Sequence, residues 1–90
     1  AVDQNGQLLS SSNYGSNSVS LAANGKEVIS TLPNKKTGKM TGTSQATAKV
    51  TRALASLIYK SKNPVHQLIL KGKRSSNLTG KIKNPIIIED

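Results

Sequence analysis

The fold is decided by one stretch near the middle of the chain, Thr41-Gly42-Thr43-Ser44-Gln45-Ala46-Thr47. No Pro or Gly interrupts the sixteen residues from Ser44 to Tyr59. Apolar side chains recur there at the helical spacing i, i+4, i+7 and i+8, as Val50, Leu54, Leu57 and Ile58. The stretch therefore predicts a turn at Gly42, whose backbone is free of side-chain restraint, followed by an amphipathic helix with Thr43 as its N-cap.

Ser44 falls in the first turn of this predicted helix. The N–H groups of a first turn have no partner within the helix, and the positive end of the helix dipole lies there. Both features favour an anion, or an oxyanion that forms on a substrate. A serine in this place can act as a nucleophile, but the same local pattern also fits a helix-terminal serine that takes part in no chemistry.

The composition limits the kinds of site that the chain can build. Ninety residues make one small domain or a piece of a larger one, and without Cys there are no disulfides and no thiolate metal sites. No apolar run approaches the roughly 20 residues that span a bilayer, so no membrane partner is expected. The four acidic residues are scattered and predict no calcium site, and we expect no cofactor.

The charge is distributed unevenly along the chain. All thirteen basic residues except Lys26 lie between Lys35 and Lys83, a span without any acidic residue. This asymmetry fits a polyanion partner, or compensating acidic residues on polypeptide outside the ninety residues. Tyr14 and Tyr59 are the only aromatic residues, which leaves almost no platform for base stacking. Nucleic acid is therefore an unlikely partner.

Short strands and turns are predicted on both sides of the central helix. Before it, alternating residues favour strands at Val19–Leu21 and Glu27–Leu32, and a brief returning strand at Lys39–Thr41 follows the tight connection Pro33–Gly38. Turn residues dominate Asn5-Gly6 and the Ser/Asn-rich stretch 10–18. After the central helix we expect a short second helix at Val65–Leu70 with Pro64 at its N1 position, a basic loop at Lys73–Asn84 and a final strand at Ile86–Ile88.

The stretch Gly42–Thr47, followed by its Ala-rich helix, resembles the catalytic-serine motif of the subtilisin-like serine peptidases, the subtilases (peptidase S8 type). Other segments agree in order and spacing with the C-terminal third of that family, namely Ala1–Asp3, Ser12–Gly15, Val19–Gly25 and Val28–Pro33. The resemblance is good over residues 1–59 and weak over residues 60–90. We therefore interpret residues 1–90 as a single partial domain with a divergent basic tail at residues 60–90.

The resemblance implies hydrolysis of peptide bonds through an acyl-enzyme, with Ser44 as the catalytic nucleophile and its backbone N–H as one oxyanion donor. Gly42 and Thr43 support the motif. A serine hydroxyl needs a neighbouring base, usually a His that is oriented by a carboxylate. In this family the Asp, the His and a side-chain oxyanion donor, an Asn, all precede the matched region. The isolated chain is accordingly predicted to be inactive.

Several residues depart from the family pattern. Ala48 and Lys49 stand where the family usually has Pro-His, Arg52 replaces a small residue, and Asn24 replaces the Pro of an Ala-Pro-Gly triplet. Burial of an unpaired Lys or Arg is costly, so the helix face that bears them is predicted to be exposed or paired with acids elsewhere. His66, the only His, lies downstream of the serine, which is the wrong order for the base of this family, and is interpreted as a structural or surface residue.

Three functions remain open at this point. The chain is a catalytic segment of a subtilisin-like endopeptidase, a catalytically inactive relative that acts by binding, or a small basic module that binds a polyanion. For the first, the resemblance implies an α/β fold, the C-terminal part of a doubly wound and mainly parallel sheet with short strands, a hairpin and two helices. The expected partners are a peptide or protein substrate, the N-terminal portion of the same catalytic domain and, for an isolated fragment, further copies of itself. The family also implies a secreted or extracytoplasmic location.

Overall fold

The computed structural model describes residues 1–89 and has a mixed α/β fold. The strands and helices lie, in chain order, at β1 (Ala22–Ala23), β2 (Val28–Leu32), β3 (Lys36–Met40), α1 (Thr43–Leu57), α2 (Pro64–Lys71), β4 (Lys73–Arg74) and β5 (Ile86–Ile88). Single turns of 3-10 helix occur at Pro33–Lys35 and Ser76–Leu78. No helix within residues 1–89 is both long enough and apolar enough to cross a membrane.

Helix α1 confirms the amphipathic helix that the central stretch predicts. Its apolar stripe faces the body of the protein: Ala46 and Leu57 are buried, and Val50 and Leu54 are half-buried. Ile58, which was predicted to share this stripe, is the C-cap residue directly after Leu57 and is 56% exposed. The N-terminus also differs from the prediction by one residue.

The N-cap of α1 is Gly42, and the prediction of Thr43 in that position is wrong. Thr43 is the first helical residue, and no side chain caps the helix. The physical reason lies outside the helix: the Gly42 N–H donates to the Gly25 carbonyl at 2.7 Å, so Gly42 is held against the body of the fold before the helix begins. A tertiary contact sets the start of the helix where side-chain capping preference alone favoured the next residue.

A three-stranded sheet with the order β1-β5-β4 forms the centre of the fold. β1 pairs with β5 in parallel, with Ala22 opposite Ile87, whereas β4 pairs with β5 in the antiparallel sense. The predicted strand at Val19–Leu21 is wrong, since the ladder begins at Ala22. The segment before it is still held, because Lys83 and Asn84 donate their N–H groups to the carbonyls of residues 19 and 20.

The hairpin formed by β2 and β3 is confirmed and is longer than predicted. The two strands pair from Val28 opposite Met40 to residue 32 opposite Lys36, so β3 starts three residues before the predicted Lys39. The 3-10 turn that joins them contains Asn34 and Lys35 at positive φ (63° and 59°). The hairpin is largely exposed, and Ile29 is 74% accessible.

Helix α2 confirms the second predicted helix together with its boundaries. Pro64 occupies the first turn, where its missing N–H costs nothing, and Gly72 ends the helix by donating its N–H to the carbonyls of Leu68 and Ile69. A β-carbon on Gly72 would overlap the Ile86 side chain, so a glycine lets α2 pass close to β5. The final strand, β5, is also confirmed.

The sheet carries apolar side chains on both faces because alternate strand residues point to opposite sides. On the face toward the helices, the buried core comprises Ala23, Ala46, Leu57, Leu68, Ile86 and Ile88. On the other face it comprises Val2, Ala22, Leu78, Ile82 and Ile87. The predicted basic loop Lys73–Asn84 is therefore only partly a loop: it contains β4, a 3-10 turn and the buried Leu78 and Ile82.

Within residues 1–89 the strands form one parallel and two antiparallel pairs. Isolated bridges add two parallel contacts, Val2 with Asn24 and Gly15 with Ile82, and one antiparallel contact, Val2 with Leu8. The expected α/β class, hairpin and two helices are present. A doubly wound, mainly parallel sheet is not visible in these strands alone.

Candidate active site

Ser44 is exposed in the first turn of α1. Thr41 and Gly42 form the connection from β3 into the helix, whose first residue is Thr43. Gly42 has a nearly extended backbone (φ 159°, ψ 172°), and no side chain covers the helix N-terminus. The hydroxyl of Ser44 is thus presented to solvent beside backbone N–H groups that a carbonyl oxygen of a substrate could approach.

Hydrogen bonds connect the Ser44 turn to the end of the sheet. The Gly42 N–H donates to the Gly25 carbonyl at 2.7 Å, and the Gly25 N–H donates to the Val2 carbonyl at 2.9 Å. Across the base of the hairpin, the Glu27 N–H donates to Thr41 Oγ1 at 2.9 Å. Glu27 holds a positive φ of 52°, which is uncommon for a residue with a side chain. These contacts fix the position of the turn that carries Ser44.

Gly25 is tightly packed against both Gly42 and Ala1. It is buried, and a β-carbon there would lie 2.5 Å from the Gly42 carbonyl oxygen and 2.7 Å from the Ala1 β-carbon. Both distances are far inside van der Waals contact, so a side chain would displace the backbone that precedes Ser44. In the sequence Gly25 is only the last residue of the segment Val19–Gly25 that resembles the family, and its steric role follows from the structure.

We predict that Gly25→Ala lowers the free energy of unfolding by about 1–3 kcal/mol, the usual cost of overpacking. Urea unfolding measures the change. Lys26→Ala, at the exposed neighbouring position, is the control; equal effects of the two substitutions would contradict the steric role of Gly25.

Ser44 lines an open cavity of about 560 Å³ between α1 and the start of the hairpin. Residues 24 and 27–30 form one wall. The other wall is one side of α1, with Ser44, Gln45, Ala48, Lys49 and Arg52. Three charged groups thus border the cavity, and of these Arg52 and Glu27 are exposed whereas Lys49 is half-buried. The sequence predicts that this basic face is exposed or paired with acids elsewhere; in the structure it is exposed at Arg52 and half-buried at Lys49.

The Ser44 cavity reaches the carboxyl end of β1, because Asn24, which borders it, directly follows that strand. Glu89 directly follows β5 and borders a neighbouring cavity. A second cavity of about 410 Å³ is bordered by Asp3, Glu89, Lys73 and Arg74, and it shares Asn24 and Lys49 with the first. Ligands of open α/β sheets bind outside the carboxyl ends of the strands. The position of Ser44 agrees with that rule.

Within residues 1–89, no side chain around Ser44 can serve as the usual base. His66 lies exposed in the first turn of α2 and borders a different hollow, with Lys62, Asn63 and Ile69. It does not border the Ser44 cavity. The described residues also contain no group of three His, Asp or Glu side chains that could hold a metal ion. The structure therefore brings together a candidate nucleophile and a cleft, and it places the only His elsewhere.

Comparison with known proteins gives the chain a family. The sequence model of the Subtilase family (peptidase S8) matches residues 1–79. The major intracellular serine protease of Bacillus subtilis (strain 168) is 57% identical over 37 residues, which cover 41% of this chain and 12% of that protein.

Two solved structures share the fold. The A-subunit of the AB5 toxin from E. coli matches with a TM-score of 0.70 and 28% identity, over 83% of this chain and 26% of that one. A structure that describes the assembly of the subtilase cytotoxin SubAB matches with a TM-score of 0.69 and 29% identity, over 83% of this chain and 25% of that one. The chain thus spans about a quarter of these structures. The family model matches most of the chain, and the two similar structures have the same fold. The chain therefore belongs to the subtilase family.

Proposed function

We propose that this chain supplies the nucleophile, Ser44, of a subtilisin-like serine endopeptidase that is complete only with polypeptide outside the ninety residues. The observation that carries the proposal is the place of Ser44 in a subtilase chain: Ser44 is exposed in the first turn of α1, where no side chain caps the helix, and it borders a cavity at the carboxyl end of β1. Helix termini of this kind stabilise developing negative charge.

The proposed reaction is acyl transfer. The Ser44 Oγ forms a bond to the scissile carbonyl carbon while its proton passes to a base, and the oxyanion that develops accepts a hydrogen bond from the Ser44 N–H. The amide nitrogen takes that proton as the C–N bond breaks, which leaves an ester on Ser44. Water then hydrolyses the ester and restores the hydroxyl. The base, its carboxylate partner and a second oxyanion donor would come from the N-terminal portion of the domain.

The surface of the chain supports a missing N-terminal portion. An apolar groove of about 400 Å³ lies between α1 and the segment before β1, bordered by Val50, Leu54 and Val65 among others. Val65 is 54% exposed and continues the apolar lining of the groove, and contiguous exposed apolar surface marks an interaction site. We propose that the N-terminal portion covers this groove and continues the parallel pairing of β1 and β5 into a doubly wound sheet. Without it, an isolated chain would associate with itself through the same surface.

The location of the protein and its alternative function are also proposals. The secreted or extracytoplasmic location comes from the family resemblance alone, and the Bacillus relative is by its name an intracellular protease. The alternative function, a catalytically inactive relative or a polyanion-binding module, is favoured by Lys49 and Arg52 and by the net charge of +9. Tyr14 and Tyr59 are exposed but isolated in the sequence, which gives little support for nucleic acid.

The proposal predicts that the isolated chain has no measurable peptidase activity and that activity appears when the N-terminal portion is present. The measurement is turnover of a fluorogenic peptide by the isolated chain, by the N-terminal portion alone, and by the two together or as one polypeptide. Turnover by the isolated chain that disappears in Ser44→Ala would show that the chain carries its own base. A folded complete domain that neither turns over peptides nor reacts with a fluorophosphonate would support the inactive relative.

A further inference from the structure

The wall of α1 that borders the Ser44 cavity bears two cations. Helix geometry places Lys49 and Arg52 about 7.5 and 12 Å along the helix axis from Ser44, and within about 140° of it around the axis. All three residues border the same cavity. A single ligand in this cavity could therefore contact Ser44 and the two cations.

Lys49 has no partner among the described residues. Within residues 1–89 its ammonium makes no hydrogen bond and no ion pair, and the residue as a whole is half-buried. Among the same residues, Glu27 is the only carboxylate that borders the Ser44 cavity, and Asp3 and Glu89 border the neighbouring cavity that Lys49 also reaches. The Asp3 carboxylate accepts hydrogen bonds from the N–H groups of Asn5 and Gln7 at 2.8 and 3.1 Å. An ammonium without a partner in the described part of the chain is available to a carboxylate that arrives from outside.

Such a carboxylate could come from the rest of the domain or from a substrate, and the two faces of α1 differ in which of these they suit. The apolar face, with Ala46, Val50 and Leu54, borders the groove that suits the rest of the domain. The face with Lys49 borders two neighbouring cavities that together contain Glu27, Asp3 and Glu89, and that lie at the carboxyl ends of β1 and β5, the ligand side of an α/β sheet. A substrate is therefore the better-supported source.

We infer that Lys49, assisted by Arg52, makes the enzyme selective for peptides that carry Asp or Glu close to the scissile bond. This inference rests on the proposed function. An extended peptide advances about 3.3 Å per residue, so a carboxylate within roughly three residues of the bond cleaved at Ser44 reaches the two cations. Lys49 and Arg52 are then specificity-determining residues, and neither takes part in the bond-breaking steps.

The test uses the complete catalytic domain and a set of fluorogenic peptides. Each peptide places a single Glu, or a Gln of the same shape, at one of the three positions on either side of the scissile bond. We expect kcat/KM to be roughly tenfold higher for Glu than for Gln at one or two positions, as for a charge-assisted hydrogen bond in a partly open site. The preference should fall severalfold between about 0.05 and 0.5 M NaCl, because salt screens exposed charges.

The variant Lys49→Met/Arg52→Met removes the cations but keeps apolar stems of similar length. It should abolish the preference for Glu while leaving hydrolysis of the Gln peptides within about twofold of the parent. The matched control, Lys60→Met/Lys81→Met, removes the same charge from exposed positions outside the cavity and should keep the preference. Fluorophosphonate labelling of each variant shows whether Ser44 is still reactive. A change in substrate preference can then be distinguished from a general loss of activity.

Four results would overturn the inference. The first is equal cleavage of Glu and Gln peptides by a domain that labels normally, which leaves the proposed function intact. The second is a preference that is insensitive to salt in the unmodified domain, a measurement that needs no variant to fold. The third is a parallel loss of hydrolysis and thermal stability in the Lys49/Arg52 variant for both peptides, which would assign the cations to contacts with the rest of the domain. The fourth is a domain that neither labels nor cleaves any peptide, which contradicts the proposed function as well.

Discussion

Ser44→Ala, made in the complete catalytic domain, is expected to reduce kcat for peptide hydrolysis by roughly 10⁶-fold, the loss that removal of the nucleophile causes in the relative subtilisin. The reason is chemical: alanine has no oxygen with which to form the acyl-enzyme, and only substrate binding and oxyanion donors remain. Because Ser44 is exposed, its loss leaves no cavity, and the fold should be unaffected. Steady-state kinetics with a fluorogenic peptide, together with a thermal unfolding curve, measure both effects.

Ser56→Ala is the matched control for this substitution. Ser56 is also exposed on α1, three turns further along, and its hydroxyl donates to the Ala53 carbonyl at 2.7 Å. We expect its removal to change kcat by less than about twofold, as for ordinary surface substitutions. Residual activity in Ser44→Ala within tenfold of the parent would exclude Ser44 as the nucleophile.

The second large effect is expected in the core. Leu78 is completely buried and packs with Val2, Ala22, Ile82 and Ile87 beneath the sheet. Leu78→Ala should lower the free energy of unfolding of the catalytic domain by about 2–5 kcal/mol, through the lost transfer energy and the cavity left behind. Urea unfolding followed by circular dichroism gives the value.

Leu70→Ala is the control for Leu78→Ala, because Leu70 is 65% exposed on α2. We expect a change of less than about 0.5 kcal/mol for this position. If both substitutions cost the same, the segment after α2 does not form part of the core. The basic tail would then be a surface loop, as the sequence pattern suggests.

The elements that the sequence predicts correctly are determined by residues that lie close together in the chain. α1 and α2 follow from residue spacing and from Pro64 and Gly72, because helical hydrogen bonds close within a few residues. β5 follows from three consecutive β-branched residues. These elements need little information from the rest of the chain.

The features that sequence reasoning missed depend on distant partners. Leu78 and Ile82 stand among polar and basic residues, and only their spacing of four hinted at a common buried side. The strand expected at Val19–Leu21 begins instead at Ala22, where β5 pairs with it from more than sixty residues away. Thr43 lost the N-cap position to Gly42 through a bond to Gly25. Each outcome was decided by a tertiary contact that local propensity does not contain.

Some residues of the candidate site could likewise be predicted from the sequence, and others could not. Ser44 was identified from the motif, and Lys49 and Arg52 were noted as departures from it, because side chains on one helix share a predictable geometry. The opposite wall, with Asn24 and Glu27, could not be assigned, since it reaches the cavity through the packing of the hairpin. Neither the sequence nor the structure identifies the base, because it is not among the described residues around Ser44.

The most direct measurement is the position at which a fluorophosphonate attaches to the complete catalytic domain, mapped by tandem mass spectrometry of the digested protein. Such reagents form a stable phosphonyl ester with an activated serine and ignore ordinary hydroxyls, so the adduct marks the nucleophile. We predict a single adduct on Ser44 that is absent from the isolated chain. An adduct on a different residue of the active domain, or hydrolysis of peptides by a domain whose Ser44 stays unmodified, would contradict the assignment of the nucleophile.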